Sequence, residues 1–294
     1  MIARARPIAV FPVVNTIVLT LLAGVTLLPL LYLLYGSFID PRDYFEYGMT
    51  FPLKRISLAN YEILLMQDGR IPRAFSISFF VTAVGTVLST IVTGALSYPL
   101  TKKDLPFRTA ITFFIFFTML FGGGLVPTYL VVKGLGLFNN YLSLILPGLV
   151  GAWYVFLFRN FFATIPSSLE ESAVIDGANE VQIFWRIMVP LSKPIIFTVG
   201  LFYAVAYWNK WFDALIYLFD SKMYPLQLIL RNIIYSSENM AASGQTGSAA
   251  SVSSAPPDVL KMCAIVISTL PIASVYPFVQ KHFIKGVLVG AIKG

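Results

Sequence analysis

The sequence predicts an all-α integral membrane protein: six transmembrane helices carrying one polar cytoplasmic segment. Three observations predict it. Apolar residues make up 57% of the 294 and charged residues only 12%, where a soluble domain carries about a quarter charged. Six apolar runs are long enough to cross a bilayer, which takes roughly 20 residues of helix. Lys and Arg divide almost evenly between the two sides, but those on one side stand in the N-terminus, a short loop and the tail, with fewer acids beside them. Arg4 and Arg6 precede the first run, Lys102, Lys103 and Arg108 separate the second and third, and Lys281, Lys285 and Lys293 follow the sixth. Positive residues stay inside, so both termini are placed in the cytoplasm.

The first span is expected from Ile8 to Tyr35. Its basic start resembles a signal peptide, but the apolar run is too long and no small-residue cleavage site follows. Residues 37–71 form an external polar loop, with turns at Asp40-Pro41 and Phe51-Pro52 and a short amphipathic helix opening at Ser57. The second span, Ala74 to Leu100, carries Ser76, Ser78, Gly85, Ser89, Thr93 and Gly94. Small and hydroxyl residues at helical spacing let helices approach closely in lipid. The third span, Thr109 to Val132, is interrupted by Gly122-Gly123-Gly124 and Pro127, which weaken a helix. A tight helix crossing and a widened pore mouth both fit that break.

The fourth span runs from Tyr141 to Phe162, with Arg159 at its cytoplasmic end, and the fifth from Ile195 to Leu218. Within the fifth, Lys210 and Asp213 stand three apart and can pair. Residues 219–258 form the longest polar connection, and its stretch Met240 to Pro257 is low in complexity. A mobile loop is expected there, either a plain linker or a docking surface for an external partner. The sixth span runs from Val259 to Val279, and a cytoplasmic tail covers 280–294.

Between the fourth and fifth spans lies the polar stretch Ile165 to Pro194, holding Glu170, Glu171, Asp176 and Glu180 of the chain's 14 acids. Ser167 and Ser168 each stand three residues before a glutamate, the capping-box spacing. A short helix is predicted from Ser168 to Asp176, ended by Gly177. Asn179 with Gln182 starts a second helix, whose Val181, Phe184, Trp185 and Met188 fall on one face. An interfacial amphipathic helix fits the periodicity.

Some chemistry is disfavoured. One cysteine, Cys263, allows no intrachain disulfide, and one histidine, His282, makes no histidine metal site. No Gly-Lys dipeptide occurs, so no Walker A loop can cradle a nucleotide. Paired carboxylates for glycan hydrolysis are not found in the spans.

Glu171-Ser172-Ala173, Asp176-Gly177-Ala178 and Ile187-Met188-Val189-Pro190-Leu191 resemble the EAA signature of ABC-importer permeases. Ser172 departs from its first alanine and Val189 from its leucine. Residues 122–140, GGGLVPTYLVVKGLGLFNN, resemble carbohydrate permeases associated with complex-polysaccharide uptake. The Trp208-Asn209 pair and the tail from Tyr276 are similar to the same family, relatives of the smaller maltose permease.

The resemblance implies a single type I importer transmembrane domain over 1–294, with a coupling segment at 166–190 and an ATPase-contacting tail at 280–294. It implies the bacterial cytoplasmic membrane and a multi-pass permease that translocates oligosaccharides by alternating access. The implied partners are a second, different permease, two ATPase subunits, an extracellular solute-binding protein, the oligosaccharide and membrane lipid, with no nucleic acid. ATP and magnesium would sit on the ATPases, leaving this chain without cofactor, metal or catalytic residue.

Glu170, Glu171, Ser172, Ala173, Asp176, Gly177 and Ala178 would meet the ATPase, as would Lys285, Gly286, Gly290 and Lys293 of the tail. Trp153, Tyr154, Tyr203, Trp208, Asn209 and Trp211 offer aromatic faces and an amide to a sugar, and packing explains each equally. An ion-coupled secondary transporter of sugars is the alternative. It favours inverted repeats and mid-membrane acids, but no clear repeat appears and only Asp213 lies within a span.

Overall fold

The computed structural model describes residues 10–49, 55–67, 69–242, 256 and 258–274. Among them every assigned element is helical, apart from an isolated bridge between Ile39 and Ile56. The chain divides into two compact units, Met1–Asp68 with Ile233–Ile267, and Gly69–Asn232 with Ser268–Gly294.

The first unit opens with α1, Val10–Ser37. Its side chains are apolar on every face and largely exposed, as suits a helix in lipid or against another chain. Thr16 and Thr26 donate to the carbonyls of Pro12 and Leu22 at 2.8 and 3.0 Å, which satisfies hydroxyls where water is absent. Helix α2, Pro41–Tyr47, starts on Asp40, whose carboxylate accepts from the Arg42 N–H, with Pro41 at the first position. Helix α3, Ala59–Glu62, passes into a π-helical turn at Ile63–Gln67. Asn60 donates to the Ile39 carbonyl at 2.7 Å and the Tyr61 hydroxyl to Ser37 at 2.7 Å. These bonds close a small core of Ile39, Val259 and Cys263.

The second unit is built on α4, Arg70–Ser97, extended by a 3₁₀ turn at Pro99–Thr101. Helix α5, Arg108–Leu120, and α6, Leu125–Gly134, meet at 115°. The expected third span is therefore two helices, divided at the glycine interruption. Gly124, at φ +79°, takes the left-handed turn that an L side chain resists. Helix α7, Leu142–Ile145, its 3₁₀ extension Leu146–Gly148, and α8, Ala152–Phe162, form the fourth span with a 55° bend.

The polar stretch forms α9, Ser167–Ile175, α10, Glu180–Ile183, a π-helical turn Phe184–Met188, and α11, Val189–Leu191. It turns by 83° into α12, Lys193–Trp208. Helix α13, Trp211–Tyr217, follows a break at Asn209-Lys210, so the expected fifth span is also divided.

Helix α14, Leu226–Ala242, corrects the reading of 219–258 as a polar connection. Its first turns bury Leu226, Leu228, Ile229 and Leu230, and Ser78 Oγ accepts from the Leu226 N–H at 2.8 Å. The run is too short to span a bilayer, and the Ser- and Gly-rich residues after it masked it. Most of the expected mobile loop lies outside the described residues. Helix α15 covers 258–274 of the sixth span. Two helices, Phe11–Ser37 and Arg70–Thr101, are long and apolar enough to cross a membrane, and three bent pairs raise the number to five among the described residues.

The core of the second unit lies where α4, α8 and α12 pack together. On α4 it takes the predicted small-residue face. A Cβ on Gly85 would stand 2.8 Å from the Tyr207 ring, so only glycine permits that approach.

Candidate functional site: the coupling segment and the spanning core

Helix α9 starts on Pro166, and no side chain caps it. The predicted Ser–Glu capping box does not form. Glu170 turns away from its own helix start and pairs with Lys102, 68 residues earlier. At the other end the turn is as the sequence predicts. Gly177 adopts φ +81°, its N–H bonds the Val174 carbonyl at 3.0 Å, and the Ala178 N–H bonds the Ala173 carbonyl at 2.9 Å. That is a Schellman closure, in which a left-handed residue satisfies the last free carbonyls. The second capping box also forms: Asn179 and Gln182 each accept the other's backbone N–H at 2.9 Å.

The segment has two sides. Ala173, Ile183, Phe184 and Met188 are buried in one core with Phe158, Phe162 and Val199 of α8 and α12. Glu171, Ser172, Asp176 and Gly177 are exposed, and so are Val174, Val181, Trp185 and Ile175, the last at 86%. The predicted apolar face is therefore split. Its members Phe184 and Met188 point inward, Val181 and Trp185 outward. The π-helical turn at Phe184–Met188 inserts an extra residue per turn and rotates the face.

Lys102 is the node that joins this segment to α4. Its amine pairs with Glu170, lies 3.4 Å from Glu180 Oε2, and sits 4.8 Å over the Tyr98 ring. The Tyr98 hydroxyl donates to the same Glu180 oxygen at 2.8 Å. Burial alone pushes the Lys102 amine down, but hydrogen bonds and charge from Glu170 and Tyr98 outweigh it and raise it above its ordinary 10.5. Sequence reasoning took Lys102 only as a marker of the cytoplasmic side. No local signal could have linked it to residues so distant in the chain.

The six aromatic and amide candidates are spread over α8, α12, the break and α13. Tyr203 is buried: its hydroxyl bonds Thr93 at 2.7 Å and accepts the Gly151 N–H at 2.9 Å. Tyr154 packs on it at 4.5 Å and on Phe202 at 6.0 Å. Trp208 is buried, donating to the Ser268 carbonyl at 3.2 Å. In this conformation Tyr203 and Trp208 are packing residues with their polar atoms engaged. Trp153 is exposed, Asn209 is exposed and donates to the Val205 carbonyl at 2.9 Å, and Trp211 lies under the Arg231 guanidinium at 4.6 Å. Lys210 and Asp213 pair as expected, at 2.7 Å.

Tyr207 was not anticipated. It donates to the Ile145 carbonyl at 3.1 Å and so accepts from Ser89 at 2.7 Å. Lys285, Gly286, Gly290 and Lys293 lie outside the described residues.

Residues 74–289 match the family described as the binding-protein-dependent transport system inner membrane component. The chain belongs to that family. This permease is 42% identical over 286 residues to Protein LplC of Bacillus subtilis (strain 168), covering 97% of this chain and 95% of that one. It is also 42% identical to the polygalacturonan/rhamnogalacturonan transport system permease protein YtcP of the same organism, over 94% and 96% of the two chains. Among solved structures it is similar to a chain of a bacterial ABC transporter involved in the import of the acidic polysaccharide alginate. The TM-score is 0.82, the identity 30%, and the coverage 96% of this chain and 100% of that one. The permease is thus the membrane subunit of an ABC importer, a machine that also takes an ATPase and a substrate-binding protein.

Proposed function

We propose that this permease carries oligosaccharides across the bacterial cytoplasmic membrane, with both termini inside, beside a second and different permease chain. Two ATPase subunits hold the ATP and magnesium, and an extracellular binding protein delivers the sugar. The two-sided coupling segment carries this reading. Its buried side shares a core with α4, α8 and α12, while its other side is free to meet a partner.

Glu171, Ser172, Asp176, Gly177 and Ala178 form the contact with the ATPase, and Ala173 seats the helix on the core. Glu170 positions the helix through Lys102 instead of reaching the ATPase itself. Motion of the ATPase cleft moves α9 and α10 as one body, and the packed spans follow it. The whole chain acts as one transmembrane domain, with its coupling at 166–190 and a second ATPase contact along 280–294, through Lys285, Gly286, Gly290 and Lys293.

The substrates are oligosaccharides of acidic polysaccharides, built from uronic acids. The names of YtcP and of the alginate importer support that class. Trp153, Asn209 and Trp211, which keep exposed surface, are the stronger candidates for sugar contact; Tyr154, Tyr203 and Trp208 support them from the core.

The test is binding-protein-stimulated ATP hydrolysis by the reconstituted complex across neutral and uronate oligosaccharides. Stimulation by galacturonate or related uronate oligomers is expected. Stimulation by neutral oligomers alone refutes the acidic class, and none by any sugar refutes the oligosaccharide reading.

A further inference from the structure

Between the start of α5 and the last turns of α8 lies a cavity of about 380 Å³. Arg108, Arg159, Thr109, Thr112 and three phenylalanine rings line it, and no carboxylate does. Arg108 Nε donates to the Leu100 carbonyl at 3.0 Å, which fixes its stem. Among the described residues neither guanidinium has an ion pair, although the two line one space. Thr112 lines the space, but its Oγ1 is buried away from it. Two like charges around one space with no carboxylate beside them repel, and an anion between them would relieve that. The complementary group is an anion rich in oxygens, and guanidinium forks match phosphate in two-pronged geometry.

The level of the cavity narrows the choice. Arg108 begins the bent pair α5–α6, Arg159 lies three residues before the end of the bent pair α7–α8, and α9 begins at Ser167. The basic residues 102–108 and the polar segment 165–194 are expected at the membrane–water interface, which puts this space at the level of lipid phosphates. Basic pockets between helices at that level hold anionic headgroups. Helix α5 has no buried residue, and Phe113, Phe114 and Phe117 offer exposed rings to acyl chains.

We propose that Arg108 and Arg159 bind the phosphate of an anionic glycerophospholipid in the leaflet facing the coupling segment. A zwitterionic lipid fits less well, because no acid stands by to meet its ammonium. The bound phosphate joins α5 to α8, the element α5 packs against. This site is independent of which sugar the importer carries.

The experiment is native mass spectrometry of the permease with its co-purified partners, released from nanodiscs of equal phosphatidylglycerol and phosphatidylcholine. The wild type should retain phosphatidylglycerol selectively. R108Q/R159Q should lose that retention about 25-fold, from roughly fivefold per arginine near a charged leaflet, while R108K/R159K should keep most of it. Equal retention by the wild type and R108Q/R159Q, or equal retention of both lipids, overturns the proposal. So does displacement of the lipid by millimolar inorganic phosphate, which would place a soluble anion in the cavity. Loss of a protein partner in place of lipid from R108Q/R159Q would make the cavity a subunit contact. Should that variant not fold, R108Q and R159Q taken singly must each lower phosphatidylglycerol retention about fivefold; unchanged retention in both would overturn the site.

Discussion

Replacing Lys102 with glutamine should loosen the coupling segment without unfolding the spans. The lysine is 24% exposed and its partner Glu170 20%, so the pair is only partly screened by solvent. Exposed ion pairs contribute about 0–1 kcal/mol, and hydrogen bonds to charged groups about 1.5–3 kcal/mol. A value between these, about 1–2 kcal/mol, is expected for the loss. Glu170 and Glu180 would then share a site with no cation between them, which adds repulsion. One to two kcal/mol corresponds to roughly 5- to 30-fold in the equilibrium between the docked and loosened segment.

The assay is the ratio of sugar uptake to ATP hydrolysis in proteoliposomes, and this ratio should fall within that range while basal hydrolysis persists. K102E should be worse, and K102E/E170K should recover part of the ratio by restoring opposite charges. An unchanged ratio in K102Q, or no recovery in the charge swap, would refute the clamp. The pH dependence follows from the raised amine. A group raised on folding contributes fully below its unfolded pKa, here 10.5, and loses its contribution as pH climbs through the higher folded value. Lys102 should therefore cause no change in coupling between about pH 6 and 9.

Gly177→Ala should cost about 1–2 kcal/mol through its left-handed backbone alone, because a Cβ there meets no atom of this chain within 4 Å. ATPase affinity should drop further than chain stability does, and unaltered affinity would count against close approach by the ATPase. Gly85→Val should lower the melting temperature, since its Cβ would press on the Tyr207 ring at 2.8 Å; overpacking typically costs about 1–3 kcal/mol. Tyr207→Phe should cost about 1–2 kcal/mol in thermal unfolding by stranding the Ile145 carbonyl and Ser89. It should leave the preference among sugars unchanged.

What the sequence displayed was what neighbours in sequence decide. The Asn179–Gln182 box and the Gly177 closure involve residues within five positions, so spacing alone reveals them. The Ser167 and Ser168 boxes failed because the helix starts on Pro166 and takes both serines inside its first turn; Glu170 then pairs with Lys102, a contact 68 residues apart that leaves no trace in spacing. The face of α10 was misread because a helical wheel assumes 3.6 residues per turn throughout, and the π-helical turn at Phe184–Met188 breaks that assumption. Helix α14 was hidden because its apolar start is shorter than a span, and burial within the protein, not in lipid, is what rewards it. Of the candidate site, the exposed residues of α9 were legible as a motif. The engagement of Tyr203 and Trp208 was not, since hydroxyl and indole partners come from other helices.

The Tyr207 ring has a mechanical consequence. Its hydroxyl holds α4 through Ser89 and α7 through Ile145, while its face rests against Gly85 with no room to spare. Sliding any of these helices by one turn would unthread three contacts at a single pivot. The three contacts therefore hold α4, α7 and α12 to a common register. During transport these helices are expected to move as one body, like a door leaf, with the seam of motion outside them.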